Sequence, residues 1–567
     1  MSRAVGLFLT QAVVFGVAHT QAPLYYSNQN QYFLHGLAQA GVGDLDRDWL
    51  ANTLDPTPVF TALVAFVARW LPEQTFYLIY VLVLGAYAQA MLALFDALGD
   101  RPNGLARLLF LTASTAIHAA ILRVASVRLF GVDYPWYAQA GVAGQYVLGP
   151  ALQPSVFGVG LIVSLAAVAH GRPGLAMLTT AATLWLHATY LLPALFLTLG
   201  HAYVCVREGQ WRSAALIGLG TGALAAPVLV RHYVTFAPAS AGVFAQAADI
   251  LVHFRIPHHA VVERWLDGVA ILQIVWVVWA LAAIRGQRLF AVLMVGLLLA
   301  IVATLIQVGT GSDVLALLFP WRISVVLVPV ATAILLGIPV RWLASWIAER
   351  PVHWQRRVVW LCYAVLAVLV VGGIAVHYCS WGYWVSTEPD GLFDHVRRHR
   401  RHGDLYLVPV EVPPRDRTSR GASSGTFLPP DHHQPRGPLP TGGMSSFRLA
   451  TGAPIFVDFK SIPYKDVEVL EWYRRLRWAE ERYEKNDWDR EETVAGLTRR
   501  GLTHIVVPRT CVLSHPAYEC VYDDPYYRVY RLRWVEVAWC DGPRPELGGG
   551  RQLTESIPPW EREASSR

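Results

Sequence analysis

The stretch that decides the fold runs from Tyr25 to Phe60 and reads YYSNQNQYFLHGLAQAGVGDLDRDWLANTLDPTPVF. It gathers Asp44, Asp46, Asp48 and Asp55, then Pro56 and Pro58, then an apolar run. One apolar segment precedes it and a long series of others follows. In that context it reads as the first extracytoplasmic loop of a polytopic membrane protein, with its carboxylates at the mouth of a cavity.

The composition around it agrees. Of 567 residues, 54% are hydrophobic and only 16% charged, a balance suited to a membrane protein rather than a soluble one. Lys and Arg number 47 against 41 acids, a net charge of +6. This excess is spread along the chain without a basic stripe, which excludes nucleic acid as a partner. The cysteines show no CxxC or zinc spacing. A Cys511–Cys520 bridge is compatible with an extracytoplasmic domain, but spacing leaves it open. The N-terminal apolar run has no small-residue cleavage site before Pro23 and reads as an uncleaved first span.

A helix needs roughly 20 apolar residues to cross a bilayer core. Eleven spans are expected: Ala4–His19, Thr75–Phe95, Leu105–Leu122, Leu152–His170, Leu175–Tyr190, Leu192–Val206, Ala214–Leu229, Val269–Ala283, Leu289–Gln307, Arg322–Ile338 and Val358–Tyr378. The pair from Leu175 to Val206 can also be read as one kinked helix broken before Pro193. With the N-terminus cytoplasmic, the inner loops hold Arg101, Arg107, Arg172, Arg207, Arg212, Arg285, Arg288, Arg341, Arg350, Arg356 and Arg357. The outer loops then hold most of the acids, as the positive-inside rule requires. This alternation needs Thr57–Trp70 to lie along the outer surface as an interfacial helix. It predicts a multi-pass protein of the plasma (inner) membrane whose chain beyond Tyr378 is extracytoplasmic.

Three regions follow. Residues 1–379 form the transmembrane domain. Residues 380–540 form an extracytoplasmic α/β domain with a disordered, Pro- and Gly-rich insert at about 411–447. Residues 541–567 form a disordered tail. In the α/β domain, Asp404–Val410, Pro454–Phe459, His504–Val507 and Arg528–Leu532 read as strands and Tyr464–Lys485 as an amphipathic helix. The alternation suggests part of a doubly wound sheet.

Several constellations carry chemistry. Asp44, Asp46 and Asp48 alternate along an extended segment, which suits a general base or a divalent ion; the glycine and final glutamate of a calcium loop are missing. Asp55, just before Pro56, fits a helix start. His253, Arg255, His258 and His259 precede the eighth span and suit a phosphate or pyrophosphate better than a metal, because adjacent histidines do not easily aim at one ion. Arg322 opens the tenth span, where an arginine either snorkels to the interface or meets an anion such as a lipid phosphate. Lys460 and Lys465 flank a strand-to-helix junction, a common anion position. His118, His187 and Gln153 interrupt apolar helices, and a lone helical histidine is more often an interior hydrogen-bonding group than a ligand.

With these residues in place, the chain resembles the GT-C superfamily of polytopic glycosyltransferases, in a branch of bacterial membrane proteins. That superfamily includes protein O-mannosyltransferases, aminoarabinose transferases and the catalytic subunit of oligosaccharyltransferase. The resemblance is one of layout over most of Met1–Tyr378: an acidic first outer loop, an interfacial helix, about eleven spans and an outer C-terminal domain. The family's acidic pair is best matched by Asp46 and Asp48. Its His-Pro-Pro helix start is echoed by Asp55-Pro56-Thr57-Pro58, without the histidine and without adjacent prolines. Trp381-Gly-Tyr383-Trp384 echoes only the aromatic character of the Trp-Trp-Asp signature of oligosaccharyltransferases. The resemblance implies an inverting transfer of sugar from a polyprenyl-phosphate donor to an acceptor on the extracytoplasmic face. In it Asp46 or Asp48 is the base, and Arg322 holds the lipid phosphate, with Arg255, His258 and His259 as further contacts to it; Asp44, Asp55 and Lys460 are candidate substrate contacts from their own positions in the sequence. Membrane lipids and the lipid-linked donor are the implied partners. No cofactor is required, and a divalent metal remains compatible. A transporter or flippase of envelope precursors and a non-catalytic membrane scaffold are the rival readings; the absence of internal repeats weighs against a transporter.

Overall fold

The computed structural model describes residues 3–99, 104–379, 381–383, 389–410, 412–413 and 444–533. Arg101, Trp384, most of the expected insert and the tail at 541–567 lie outside the described residues.

The chain is a mostly helical membrane protein with a small C-terminal sheet. Six helices are long and apolar enough to cross a bilayer: Thr75–Ala97, Ala188–Arg207, Trp211–Thr235, Arg288–Thr310, Asp313–Ala348 and Val352–Tyr378. A seventh crossing arises if Gly104–His118 and Ala120–Phe130, bent by 52°, are one broken span. The bend falls at Ala119, whose backbone is extended. The other four expected spans are the shorter helices Ala4–His19, Pro154–Ala169, Pro173–Leu186 and Gly268–Ala283. Each falls short of the roughly 20 residues that cross a bilayer unaided, so six or seven of the eleven expected spans are long enough by themselves. The Leu175–Val206 region breaks at His187, which is extended, rather than before Pro193.

The long helices turn apolar side chains outward. On Val352–Tyr378, Trp360, Leu361, Val368 and Val371 are all exposed, as a lipid-facing surface requires. The helix Pro58–Trp70 starts with proline in its first turn, buries Phe60, Val64 and Val67, and leaves Phe66 and Trp70 exposed. Its inner face meets the short helix Leu34–Gln39 at Gly36, where a Cβ would lie 2.6 Å from the Val64 Cβ.

The C-terminal sheet has strands β1 (Tyr406–Leu407), β2 (His504–Pro508), β3 (Tyr518–Asp523) and β4 (Tyr527–Leu532), in the order β1-β2-β4-β3. β1 runs parallel to β2, whereas β4 pairs antiparallel with both β2 and β3. The β3–β4 hairpin replaces the expected doubly wound arrangement, and β3 has no counterpart in the sequence reading. Pro454–Phe459 is not a ladder strand; it makes a single bridge, Tyr406 to Ile455. Alternation along β2 sends Ile505 and Val507 to one face and Val506 to the other. The first face packs on helix Asp466–Lys485 through Val469, Trp472, Leu476 and Ala479. The second packs on helix Asp390–His399 through Leu392, Phe393 and Val396, and on Phe447. Ala247 and Ile250, from the loop before the expected eighth span, join the first of these cores and tie the domain to the helical bundle. Cys511 and Cys520 are free thiols.

Candidate functional site

One cavity of about 940 Å³ lies between the end of the helical bundle and the C-terminal domain. Segments far apart in sequence converge on it: Tyr26–Tyr32 and Pro56 of the first loop, Gly144–Ser155, the break at His187, His232, the 244–259 loop, Val314–Arg322 and the 458–469 segment. The sequence assigns all of these to the same side of the membrane.

Five of the expected substrate residues line this cavity: Arg322, Arg255, His258, His259 and Lys460. Arg322 sits on the turn that opens the tenth span, after Phe319 in a left-handed conformation and Pro320. Its guanidinium lies 4.7 Å above the Tyr190 ring, and its Nε is buried without a hydrogen-bond partner. Among the described residues no carboxylate pairs with it. Arg255 donates to the Lys460 carbonyl at 2.6 Å and stacks 4.7 Å over Phe459. His259 shares its Nδ1 hydrogen with the Ala143 carbonyl at 2.5 Å. Burial, with the positive charges of Arg322, Arg255 and Lys460 added, lowers its pKa to about 4. The imidazole is therefore neutral at pH 7. The His258 and His259 rings lie 4.0 Å apart at a tilt and form a wall rather than a chelate.

The remainder of the lining is aromatic and amide-rich. Gln31 donates to the Tyr464 hydroxyl at 2.9 Å, and Tyr32 and Tyr464 share a hydrogen bond at 3.3 Å. Gln145 is buried with its Oε1 unpaired, and Trp136, Tyr146 and Gln153 stand nearby in the wall. Aromatic faces with amides and hydroxyls suit a polyhydroxylated ligand, and cations suit a phosphate. His187, read from sequence as an interior group, belongs to this wall, and so does Gln153. His118 does not: it is satisfied by the Tyr87 hydroxyl at 2.9 Å and the Ser114 carbonyl.

The acidic loop lies elsewhere. None of Asp44, Asp46, Asp48 and Asp55 lines the cavity, so the expected convergence of the acidic pair with Arg322 is corrected. The loop clasps the C-terminal domain instead. Asp48 is fully buried. Its Oδ2 accepts from Arg448 Nε at 2.8 Å and from the Ile455 N–H at 3.0 Å, and its Oδ1 accepts from the Leu50 N–H at 2.9 Å. Asp44 pairs with Arg400 at 3.4 Å and His402 at 3.1 Å, while its N–H donates to the Gly452 carbonyl. Trp49 receives Arg475 over its ring at 4.3 Å. Asp46 is exposed to solvent. Asp55 accepts from the Thr57 N–H at 2.8 Å and bounds the turn before Pro58, with Pro56 and Thr57 reaching the cavity in its place.

Sequence reasoning missed two residues that the cavity reveals. Arg448 is a buried bridge: its Nε serves Asp48, and its Nη1 lies 2.9 Å from Asp458 Oδ2. Asp458 stands in the cavity wall, and burial raises its pKa against the pull of Arg448. A lone Asp in a Val-Asp-Phe-Lys segment carries no sequence signal of this; only its partner 10 residues upstream does. For a metal, the described residues offer one group, Asp249, His253 and Asp313, whose ligand atoms lie within 4.8 Å of one another. His253 there already bonds Asp313 at 3.1 Å, and both it and Asp249 are exposed.

A family described as a domain of unknown function (DUF6798) matches residues 435–479. That stretch supplies Arg448, Asp458, Lys460 and Tyr464 to the clasp and cavity. No curated protein matches the chain.

Proposed function

We propose that the chain is a membrane glycosyltransferase of GT-C layout that holds a polyprenyl-phosphate sugar in this cavity and transfers the sugar on the extracytoplasmic face of the plasma membrane. The observation that carries the reading is the presence of Arg322, Arg255 and Lys460 in the lining of one amide- and aromatic-walled cavity at the end of an apolar helical bundle. Arg322 receives the lipid phosphate, because a guanidinium without a carboxylate partner is the natural seat for a phosphate anion. Leu317, Leu318 and Phe319 beside it offer an apolar path for the prenyl chain. Gln145, Tyr146, Gln153 and Tyr464 face the sugar. The acceptor hydroxyl attacks the anomeric carbon, the bond to phosphate breaks, and the electron pair stays on the phosphate beside Arg322.

The topology proposed with this function is the eleven-crossing one, with the short helices crossing in company with their neighbours. Its support is the grouping of ends. Arg341 donates to the Phe95 carbonyl and Arg107 pairs with Asp96 at 2.8 Å. Arg288 pairs with Glu208. Loops expected on the inner side thus meet one another and stay away from the cavity.

The test is native mass spectrometry of the purified protein in nanodiscs with undecaprenyl phosphate and, as control, undecaprenol. The phosphate is expected to bind and the alcohol not, and Arg322→Ala is expected to weaken the phosphate complex at least tenfold. Equal retention of both lipids, or an Arg322→Ala variant that binds like wild type, would sink the proposal.

A further inference from the structure

We propose that Asp249, His253 and Asp313 bind one divalent transition-metal ion of the Zn2+ kind, which staples together two elements of the cavity wall. The site stands apart from the sugar-transfer reading. One ligand atom from each of the three residues lies within 4.8 Å of the other two. The residues come from two separate elements. Asp249 ends helix Ala241–Asp249, and His253 lies in the π-helical turn Ile250–Arg255 that continues it. Four residues apart on a continuous helix, these two project from one face. Asp313 opens the short helix Asp313–Leu317. Its carboxylate is not needed as a cap, because the Ser312 hydroxyl accepts from the Leu315 N–H.

Spacing and donor type both suit a metal. Bonds of about 2.0–2.2 Å from zinc to nitrogen and oxygen set neighbouring donors roughly 3–3.5 Å apart around one ion. His253 Nε2 and Asp313 Oδ1 already lie 3.1 Å apart. Asp249 is exposed, so its side chain can rotate to close the remaining gap. A histidine–aspartate ion pair accounts for two of the three residues and leaves the second carboxylate unexplained. Among the described residues that carboxylate has no hydrogen-bond or ion-pair partner. Beside Asp313 it adds like-charge repulsion, which a dication removes. One imidazole with two carboxylates fits a first-row transition metal, whereas Mg2+ and Ca2+ favour oxygen donors alone.

Position gives the ion its role. None of the three residues lines the cavity, but their neighbours do: Leu251 and Arg255 on one element, Val314, Leu317 and Leu318 on the other. Between the two elements, Val252 and Ala260 pack with Ala316 in a small buried core, which holds the ligands in register. Beyond Leu318 the chain turns through Phe319 and Pro320 into Arg322. A metal joining Asp249 and His253 to Asp313 therefore fixes the element that carries Arg255 against the one that leads to Arg322. Sequence spacing hides the site, because the third ligand stands 60 positions after His253.

Two measurements on the full chain in nanodiscs, stripped of metal with EDTA, test this. The first is Zn2+ binding by isothermal titration calorimetry, with Mg2+ as control. Wild type is expected to bind Zn2+ at micromolar concentration, and Asp249→Asn and His253→Ala are each expected to weaken that binding at least tenfold. Asp249→Asn is decisive, because it leaves the His253–Asp313 pair intact. Zn2+ binding by Asp249→Asn equal to that of wild type would reduce the cluster to an ion pair and overturn the inference. Mg2+ bound as tightly as Zn2+ would do the same, since exposed carboxylates alone behave in that way. The second is hydrogen–deuterium exchange. Zn2+ is expected to slow exchange at least fivefold in peptides covering residues 248–256 and 312–319 of wild type, and not in Asp249→Asn. Zn2+ bound without that protection would overturn the stapling role. Both substituted side chains are exposed, so the variants are expected to keep the wild-type melting temperature in EDTA, which separates lost binding from lost fold.

Discussion

Replacing Arg448 by Met keeps most of its volume and removes the charge between Asp48 and Asp458. Both carboxylates are buried, at 0% and 6% exposure, and Arg448 is at 2%. Removing one member of a buried ionic group leaves the others uncompensated, which costs about 3–5 kcal/mol. For a domain of about 150–250 residues, each kcal/mol moves the melting temperature by about 2–4 °C, so a fall of about 6–20 °C is expected. Thermal unfolding of the detergent-solubilised protein, followed by tryptophan fluorescence, reads it, since Trp472 is buried in the C-terminal core. The loss also depends on pH. Burial already raises the Asp458 pKa, and without Arg448 it rises further. The folded variant then takes up a proton at a pH where the unfolded chain does not, so its stability recovers as pH falls toward the folded pKa. The deficit is expected to shrink between pH 8 and pH 5. A loss below about 1 kcal/mol at pH 8, the range of an exposed ion pair, or a deficit unchanged at pH 5, would refute the buried-bridge argument.

The remaining predictions concern the cavity and the clasp. Arg322→Lys is expected to bind undecaprenyl phosphate more weakly than wild type but better than Arg322→Ala, because it restores charge without the planar fork; equal affinity of the Lys and Ala variants in a titration would argue against a charge contact. His259, with a folded pKa of about 4 against 6.5 unfolded, contributes stability that is complete above pH 6.5 and lost as pH falls toward 4, by up to about 3 kcal/mol. His259→Gln is expected to flatten the unfolding midpoint over that window, and an unchanged slope would count against it. Gly43 has φ +60°, and a Cβ there would lie 2.3 Å from the Gly452 carbonyl oxygen. Gly43→Ala is therefore expected to loosen the clasp, visible as faster proteolysis of the first loop with the helical bundle intact; wild-type protease resistance would show that the contact yields easily.

The sequence by itself determined the class of the protein and much of its ground plan. Apolar runs fixed where helices form, because backbone groups in a low-dielectric environment must pair within their own segment. Arginine placement grouped the loops that do meet; Arg322 was legible because a cation opening an apolar span needs a partner, Arg255, His258 and His259 because they cluster beside a span, and Lys460 because it stands at a strand-to-helix junction. Tertiary structure decided the rest. Helix lengths within the apolar runs depended on breaks at Ala119 and His187 that no proline marks. The β3–β4 hairpin depended on long-range pairing rather than local propensity. The role of the acids was beyond sequence altogether, since a carboxylate at a cavity and a carboxylate in a buried ion pair look alike until the partner is known. For Asp48 that partner is 400 positions away at Arg448, and the same guanidinium is what joins Asp48 to Asp458.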